Sequence, residues 1–305
     1  MKRVLEVAPI VSSAPCRLDM GGTLDISTFA YSLHRLVPVT FNLALDLRTQ
    51  VVLRAYREGK VKVSSKGFES VAYSSHRAPY DHPLGLIFAV AAYFGADGVA
   101  IEIESASPPR SALGGSSAAV VALIGAFSEA QRNPAGDPPS AAGIAMLAYG
   151  LEGSVAGVPC GLQDHLAAVY GGVNAWYWYE AIGKPPFRRE IVAKPSSYGQ
   201  LQQHILLAYC GIPHASEDIN GIWVAQFRSG QHRELWEEIA ALTKQFVEAL
   251  AANNYQDAIA AMNREVAIRR QLTPGVLDPT GEALVAAAVD TGCGARFTGA
   301  GGGGC

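Results

Sequence analysis

Cysteine is scarce, with five residues at scattered positions in 305, and neither a Cys-x-x-Cys pair nor a Cys/His cluster occurs. That disfavours a disulfide framework and a structural zinc site, and the thiols are expected to be reduced and packed. Charge is also sparse. Only 17% of residues are charged and the formal net charge is -3, so the sequence carries no electrostatic footprint for nucleic acid or an anionic membrane. No stretch reaches 18 uninterrupted apolar residues, and residues 1–10 lack the apolar run of a signal peptide. The expectation is a soluble, cytoplasmic protein without nucleic-acid or membrane partners, for which a homodimer is an admissible assembly. The histidines, among them His34, His82, His165, His204 and His214, show no metal-ligand spacing and are left outside the chemistry.

What the chain has in quantity is glycine, 32 residues with clusters at Gly21-Gly22, at Gly114-Gly115 and in 299–304. Apolar residues make up 49%, enough for a substantial core in two domains or one large one. Residues 37–55, 61–65 and 99–105 combine alternation with β-branched residues and read as strands. Residues 116–131 set Val120, Val121, Ile124 and Phe127 on one helical stripe. A second helix is expected over 140–152, then the breakers Gly153, Gly157 and Pro159, then a short helix over 163–169 stopped by Gly171-Gly172. Residues 173–179 read as an aromatic strand in which Trp176, Tyr177, Trp178 and Tyr179 either stack on adenine or sugar or, for two of the four, fill the core. Residues 181–197 read as a domain joint, 204–210 as a strand, and 235–251, 255–271 and 280–291 as helices with polar faces. The class is α+β, divided into domains 1–180 and 181–305.

The chemistry-bearing segment is 108–119, PPRSALGGSSAA, where a strand feeds a Gly/Ser-rich loop that opens into an apolar helix. Glycines let the backbone approach a phosphate, the exposed N–H groups point at it, and the positive end of the helix dipole favours its charge. Neither the P-loop pattern nor the dinucleotide fingerprint is present. Spacing alone leaves a plain alternative open, a glycine turn with Ser116 capping a core helix.

Two further segments bear on that choice: residues 14–25 read APCRLDMGGTLD and 294–304 read GARFTGAGGGG. The three motifs, in this order and spanning nearly the whole chain, resemble the GHMP kinase superfamily of galactokinase, homoserine kinase and mevalonate kinase. The similarity is greatest to its sugar kinases, above all the D-glycero-D-manno-heptose 7-phosphate kinase branch, through the GLQDHLAAVYGGVN segment. The resemblance implies an N-terminal ribosomal protein S5 domain 2-like domain with a left-handed β-α-β crossover and a C-terminal ferredoxin-like domain. It also implies ATP and Mg2+, and transfer of the γ-phosphate to a sugar or sugar-phosphate hydroxyl. A mevalonate- or homoserine-type kinase and a non-catalytic sugar-binding member are the alternatives, the last disfavoured by Arg17, Glu152 and Asp164 occurring together.

Carried over residue by residue, the resemblance makes Asp164 the catalytic carboxylate and Arg17 an active-site cation. Ser111, Ala112, Leu113, Gly114, Gly115, Ser116, Ser117 and Ala118 become the ATP-binding loop. Glu152 with Ser116 or Ser117 become magnesium ligands, since hard oxygens suit that ion. Gly22, Thr23, Asp25 and Gly301 become substrate-binding. Three departures stand out. Thr23-Leu24-Asp25 replaces the usual Thr-Asp, and Ala112 replaces the first glycine of the loop, acceptable if its φ is negative. In the resembling kinases the chain runs on past the third motif into at least one more strand, whereas the sequence here stops at Cys305.

Overall fold

The computed structural model describes residues 1–133, 136–157, 159–178, 183–211 and 219–305. In chain order the first elements are α1 (Lys2–Val7), β1 (Ile10–Gly21), α2 (Ser27–Ser32), β2 (Val39–Ala55), β3 (Lys60–Ser65), β4 (Val71–Ser74), α3 (Gly85–Tyr93) and β5 (Val99–Ser105). There follow α4 (Gly115–Ala130), α5 (Ala141–Val155), α6 (Gln163–Tyr170), β6 (Val173–Trp178), β7 (Phe187–Ala193), α7 (Tyr198–Gln202), α8 (Ile219–Arg228), α9 (Arg233–Ala251), α10 (Tyr255–Leu272) and α11 (Pro279–Asp290). They form two compact units of α+β class. One comprises Met1–Cys16, Leu45–Pro109 and Gly114–Tyr170; the other comprises Arg17–Ala44, Arg110–Leu113 and Gly171–Cys305. The boundary expected between 180 and 181 lies outside the described residues.

In the first unit the later part of β2 pairs antiparallel with β5, from Thr49 opposite Ser105 to Ala55 opposite Val99. β5 runs parallel to β3, and β3 pairs antiparallel with β4. Alternation fixes which face is buried: Val51 and Leu53 point inward, while Arg54 points outward and meets Glu102 at 3.0 Å. Helices α3, α4, α5 and α6 pack on one another. The sequence predicts a single apolar stripe on α4, but the structure buries residues 117–124 in succession. The helix is central, touching β5 and three other helices, and Ala118, Ala119, Ala122 and Ala126 permit that approach on several sides.

In the second unit the start of β2 pairs with β6, Val39 opposite Tyr177 through Leu43 opposite Val173, and β6 pairs with β7 past a bulge at Val173/Asn174. All six β6 residues are buried. Trp176 and Trp178 therefore belong to the core, their indole N–H groups donating to Asn42 Oδ1 (2.9 Å) and Thr40 Oγ1 (3.0 Å). Tyr177 is buried as well, so stacking on a ligand is not their part; Tyr179 and His214 lie outside the described residues. The segment read as a joint carries β7 instead. Residues 204–210 form no strand: His204 and Ile205 donate back to Leu201 O (3.0 Å) and Gln202 O (3.4 Å) in the turn after α7, Cys210 N–H donates to Gly304 O at 2.8 Å, and Leu206 stays 92% exposed. The helical part centres on Phe29 stacked on Trp236 at 4.0 Å, with Trp223 edge-on to Trp236.

Candidate active site

In the first unit, Gly114 precedes α4 in the left-handed conformation (φ 69°), and among the described residues no side chain caps that helix. The reading of Ser116 as a simple cap is therefore excluded by the geometry. Residues 114–117 place their backbone N–H groups at the positive end of a 16-residue helix. Gly115 is closely approached: a Cβ there would lie 3.2 Å from Ser107 Oγ. Ser107 belongs to a hydroxyl chain running through Ser105 (2.9 Å) to Thr49 (3.0 Å).

The two loop serines diverge. Ser116 is exposed, whereas Ser117 is buried and donates to Glu152 Oε2 on α5 at 3.0 Å. The same oxygen lies 2.6 Å from Nε2 of His165, a fully buried ring on α6. The contact is close, yet neither ring nitrogen has a well-directed hydrogen bond. Asp164 precedes His165, half-buried in the first turn of α6. One carboxylate and one hydroxyl suit magnesium, which is habitually held by one or two carboxylates together with substrate phosphates. Among the described residues there is no cluster of three or more His, Cys, Asp or Glu that could hold a metal by itself.

In the second unit the three motifs meet at Arg17. Its backbone N–H donates to Leu113 O at 2.9 Å, and its Nη1 donates to Ala112 O and to Thr298 Oγ1 at 3.3 Å. Thr298 Oγ1 in turn donates to Ala112 O at 3.4 Å. The third motif needs glycine where it is tightest: a Cβ on Gly304 would sit 2.7 Å from Ser111 O, and one on Gly301 2.6 Å from Val276 O. Gly301 is thus buried against Val276. Ala112 departs from expectation: its φ is +60°, the left-handed region, which costs a non-glycine residue about 1–2 kcal/mol. Its carbonyl, accepting from both Arg17 and Thr298, helps to hold that conformation.

The loop after Arg17 is anchored by residues to which the resemblance assigns no role. Asp19 is fully buried; its Oδ1 accepts from Gly21 N–H (3.2 Å) and Arg296 Nη1 (2.9 Å), and its Oδ2 from Thr23 Oγ1 (2.9 Å). Glu265 Oε1 accepts from Gly22 N–H, Arg269 Nε and Arg296 Nη2, each at 3.3 Å. Burial disfavours the charged Arg296, but Glu265 and Asp19 outweigh it and hold the guanidinium above its ordinary pKa. For Arg269 burial prevails over Glu265 and the shift is downward. Asp25 is buried at the end of this loop.

Residues 82–172 match the family model for the GHMP kinases N terminal domain. A D-glycero-alpha-D-manno-heptose 7-phosphate kinase of Campylobacter jejuni subsp. jejuni serotype O:2 is 26% identical over 219 residues, which cover 69% of this chain and 62% of the relative's length. Among solved structures, a D-glycero-D-manno-heptose 1-phosphate kinase from Bacteriodes thetaiotaomicron superposes with a TM-score of 0.72 at 18% identity, covering 97% of this chain and 86% of the other. The Methanococcus jannaschii mevalonate kinase gives 0.70 at 17%, covering 98% and 89%. Lactococcus lactis galactokinase complexed with galactose gives 0.64 at 16%, covering 97% and 84%. Over residues 82–172 the chain is thus similar to the GHMP kinases N terminal domain, and its fold is the α+β fold of the solved GHMP kinases.

Proposed function

We propose that the protein is a sugar kinase that moves the γ-phosphate of ATP, with magnesium, onto a hydroxyl of a sugar phosphate, a heptose 7-phosphate being the favoured acceptor. The observation that carries this reading is the Ser117–Glu152 pair at the open N-terminus of α4, one helix from Asp164. Phosphoryl transfer depends on positioning and charge stabilisation more than on covalent chemistry. Backbone N–H groups of 114–117 receive the ATP phosphates. Glu152 and Ser117 would hold magnesium, which when bound neutralises charge on the transferring group. Asp164 accepts the proton of the attacking hydroxyl and aligns it. Gly22, Thr23 and Asp25 present the acceptor-binding loop, and Arg17 braces the phosphate loop through Ala112. The heptose preference rests on the 26% identical relative.

The test is ADP release with Mg-ATP across a panel of heptose phosphates, free hexoses and pentoses, galactose and mevalonate. Turnover of a phosphorylated heptose, with mevalonate refused, is the expected result. Turnover of mevalonate alone would overturn the sugar reading, and no acceptor-dependent ADP release from any compound would overturn the kinase reading.

A further inference from the structure

The buried charges of the second unit converge on one glycine. Gly22 donates its N–H to the Glu265 carboxylate at 3.3 and 3.4 Å, and its carbonyl accepts from Arg269 Nη2. Both donor and acceptor of one residue are thus gripped by side chains four positions apart on α10. Only glycine fits at position 22: its φ is +86°, and a Cβ would lie 2.3 Å from Val39 O and 3.1 Å from a Thr243 methyl carbon. The grip is itself fixed. The Arg269 guanidinium lies 4.6 Å from the Trp223 ring centre and 4.8 Å from that of Trp236, in the corner that the two near-perpendicular indoles form. Arg296 then bridges Glu265 to Asp19, which ties down Gly21 and Thr23 on either side.

Stability alone is a poor account of such a cluster. Taking charges out of water is costly, and apolar groups of similar volume commonly serve a core as well or better. A buried network of two arginines and two carboxylates, with its bonds aimed at the backbone of 21–23, fits a need for a fixed loop conformation. We propose that Glu265 and Arg269 are positioning residues for the acceptor, holding the 21–25 loop through both backbone groups of Gly22 so that acceptor binding, and not nucleotide binding, depends on them. This deepens the kinase reading and rests on it.

The test uses the full chain with Glu265→Met/Arg269→Met, which removes both charges together so that no buried ion is left without its partner. Arg269→Lys, which keeps the charge and loses the fork, is the second variant should the double variant not fold. Amide hydrogen exchange across 21–25 should quicken on the order of tenfold or more, the amount expected from losing hydrogen bonds to charged groups. With the acceptor found in the panel assay, its KM should rise by about the same factor while the Mg-ATP Kd stays within roughly twofold. Unchanged loop exchange in a folded variant overturns the proposal. So does a matching loss of Mg-ATP affinity, which would make the network general scaffolding. If the wild type phosphorylates nothing, the kinase reading fails by itself, and the exchange measurement still decides whether α10 holds the loop.

Discussion

A carboxylate in the first turn of a helix has an ordinary use, because it favours the positive end of the helix dipole, and Asp164 occupies such a place on α6. The use proposed above is chemical, and Asp164→Asn separates the two. The amide keeps size and much of the hydrogen bonding but cannot take the acceptor's proton. A cap contributes about 0.5–2 kcal/mol of stability, whereas removing a general base costs on the order of 10²–10⁴-fold in rate. The variant should melt close to the wild type and lose nearly all kcat at saturating substrates. A folded variant with wild-type turnover removes Asp164 from the reaction. Asp164, Arg17 and Glu152 are legible in the sequence as candidates, through the resemblance alone. Asp19 and Arg296 were not: the pair is joined across 277 positions of sequence, and nothing local distinguishes a buried Arg from a solvated one. His165 was equally hidden, since its partner Glu152 comes from another helix.

At the scale of elements, periodicity revealed what packing permits it to reveal. α9 shows one polar and one apolar face, and the sequence spacing marks both α9 and α10 almost to their ends, although the buried face of α10 also carries Glu265 and Arg269. β1 went unread because residues 14–17 are buried in succession, which erases the alternation of a half-buried strand. Residues 204–210 were misread for the converse reason, a strand-like composition with no ladder to join among the described residues. The loop before α4 is legible as a Gly/Ser-rich candidate for phosphate binding, but not the sign of φ at Ala112. That sign yields a prediction. Glycine adopts φ of +60° without the side-chain clash, gaining about 1–2 kcal/mol, and gives back roughly 0.5–1 kcal/mol through the greater freedom of the unfolded chain. Ala112→Gly should therefore stabilise the protein by about 0.5–1 kcal/mol in urea unfolding. A clear loss of stability would show that the alanine methyl contributes packing worth more than the backbone strain.

For the whole molecule, ligand binding and unfolding are linked, and the linkage tests the proposed magnesium pair Ser117 and Glu152 without any need for the acceptor. A ligand at a hundred times its Kd stabilises the folded state by about 2.7 kcal/mol, which for a chain of this size corresponds to several degrees in Tm. Mg-ATP should produce such a shift in the wild type. Chelating the metal should abolish most of it, because the Glu152 carboxylate then faces uncompensated phosphate charge. Glu152→Gln should show the opposite balance. It loses an ionised ligand for magnesium, so its Mg-ATP shift should shrink, but it also loses the repulsion, so with EDTA present it should be stabilised by ATP more than the wild type is. This crossing of responses distinguishes a metal ligand from a residue that merely fastens Ser117 and His165 in place, since a fastening role would weaken ATP stabilisation with or without metal. Equal shifts for wild type and variant under both conditions would remove Glu152 from the magnesium site and leave Ser117 without its assigned partner there.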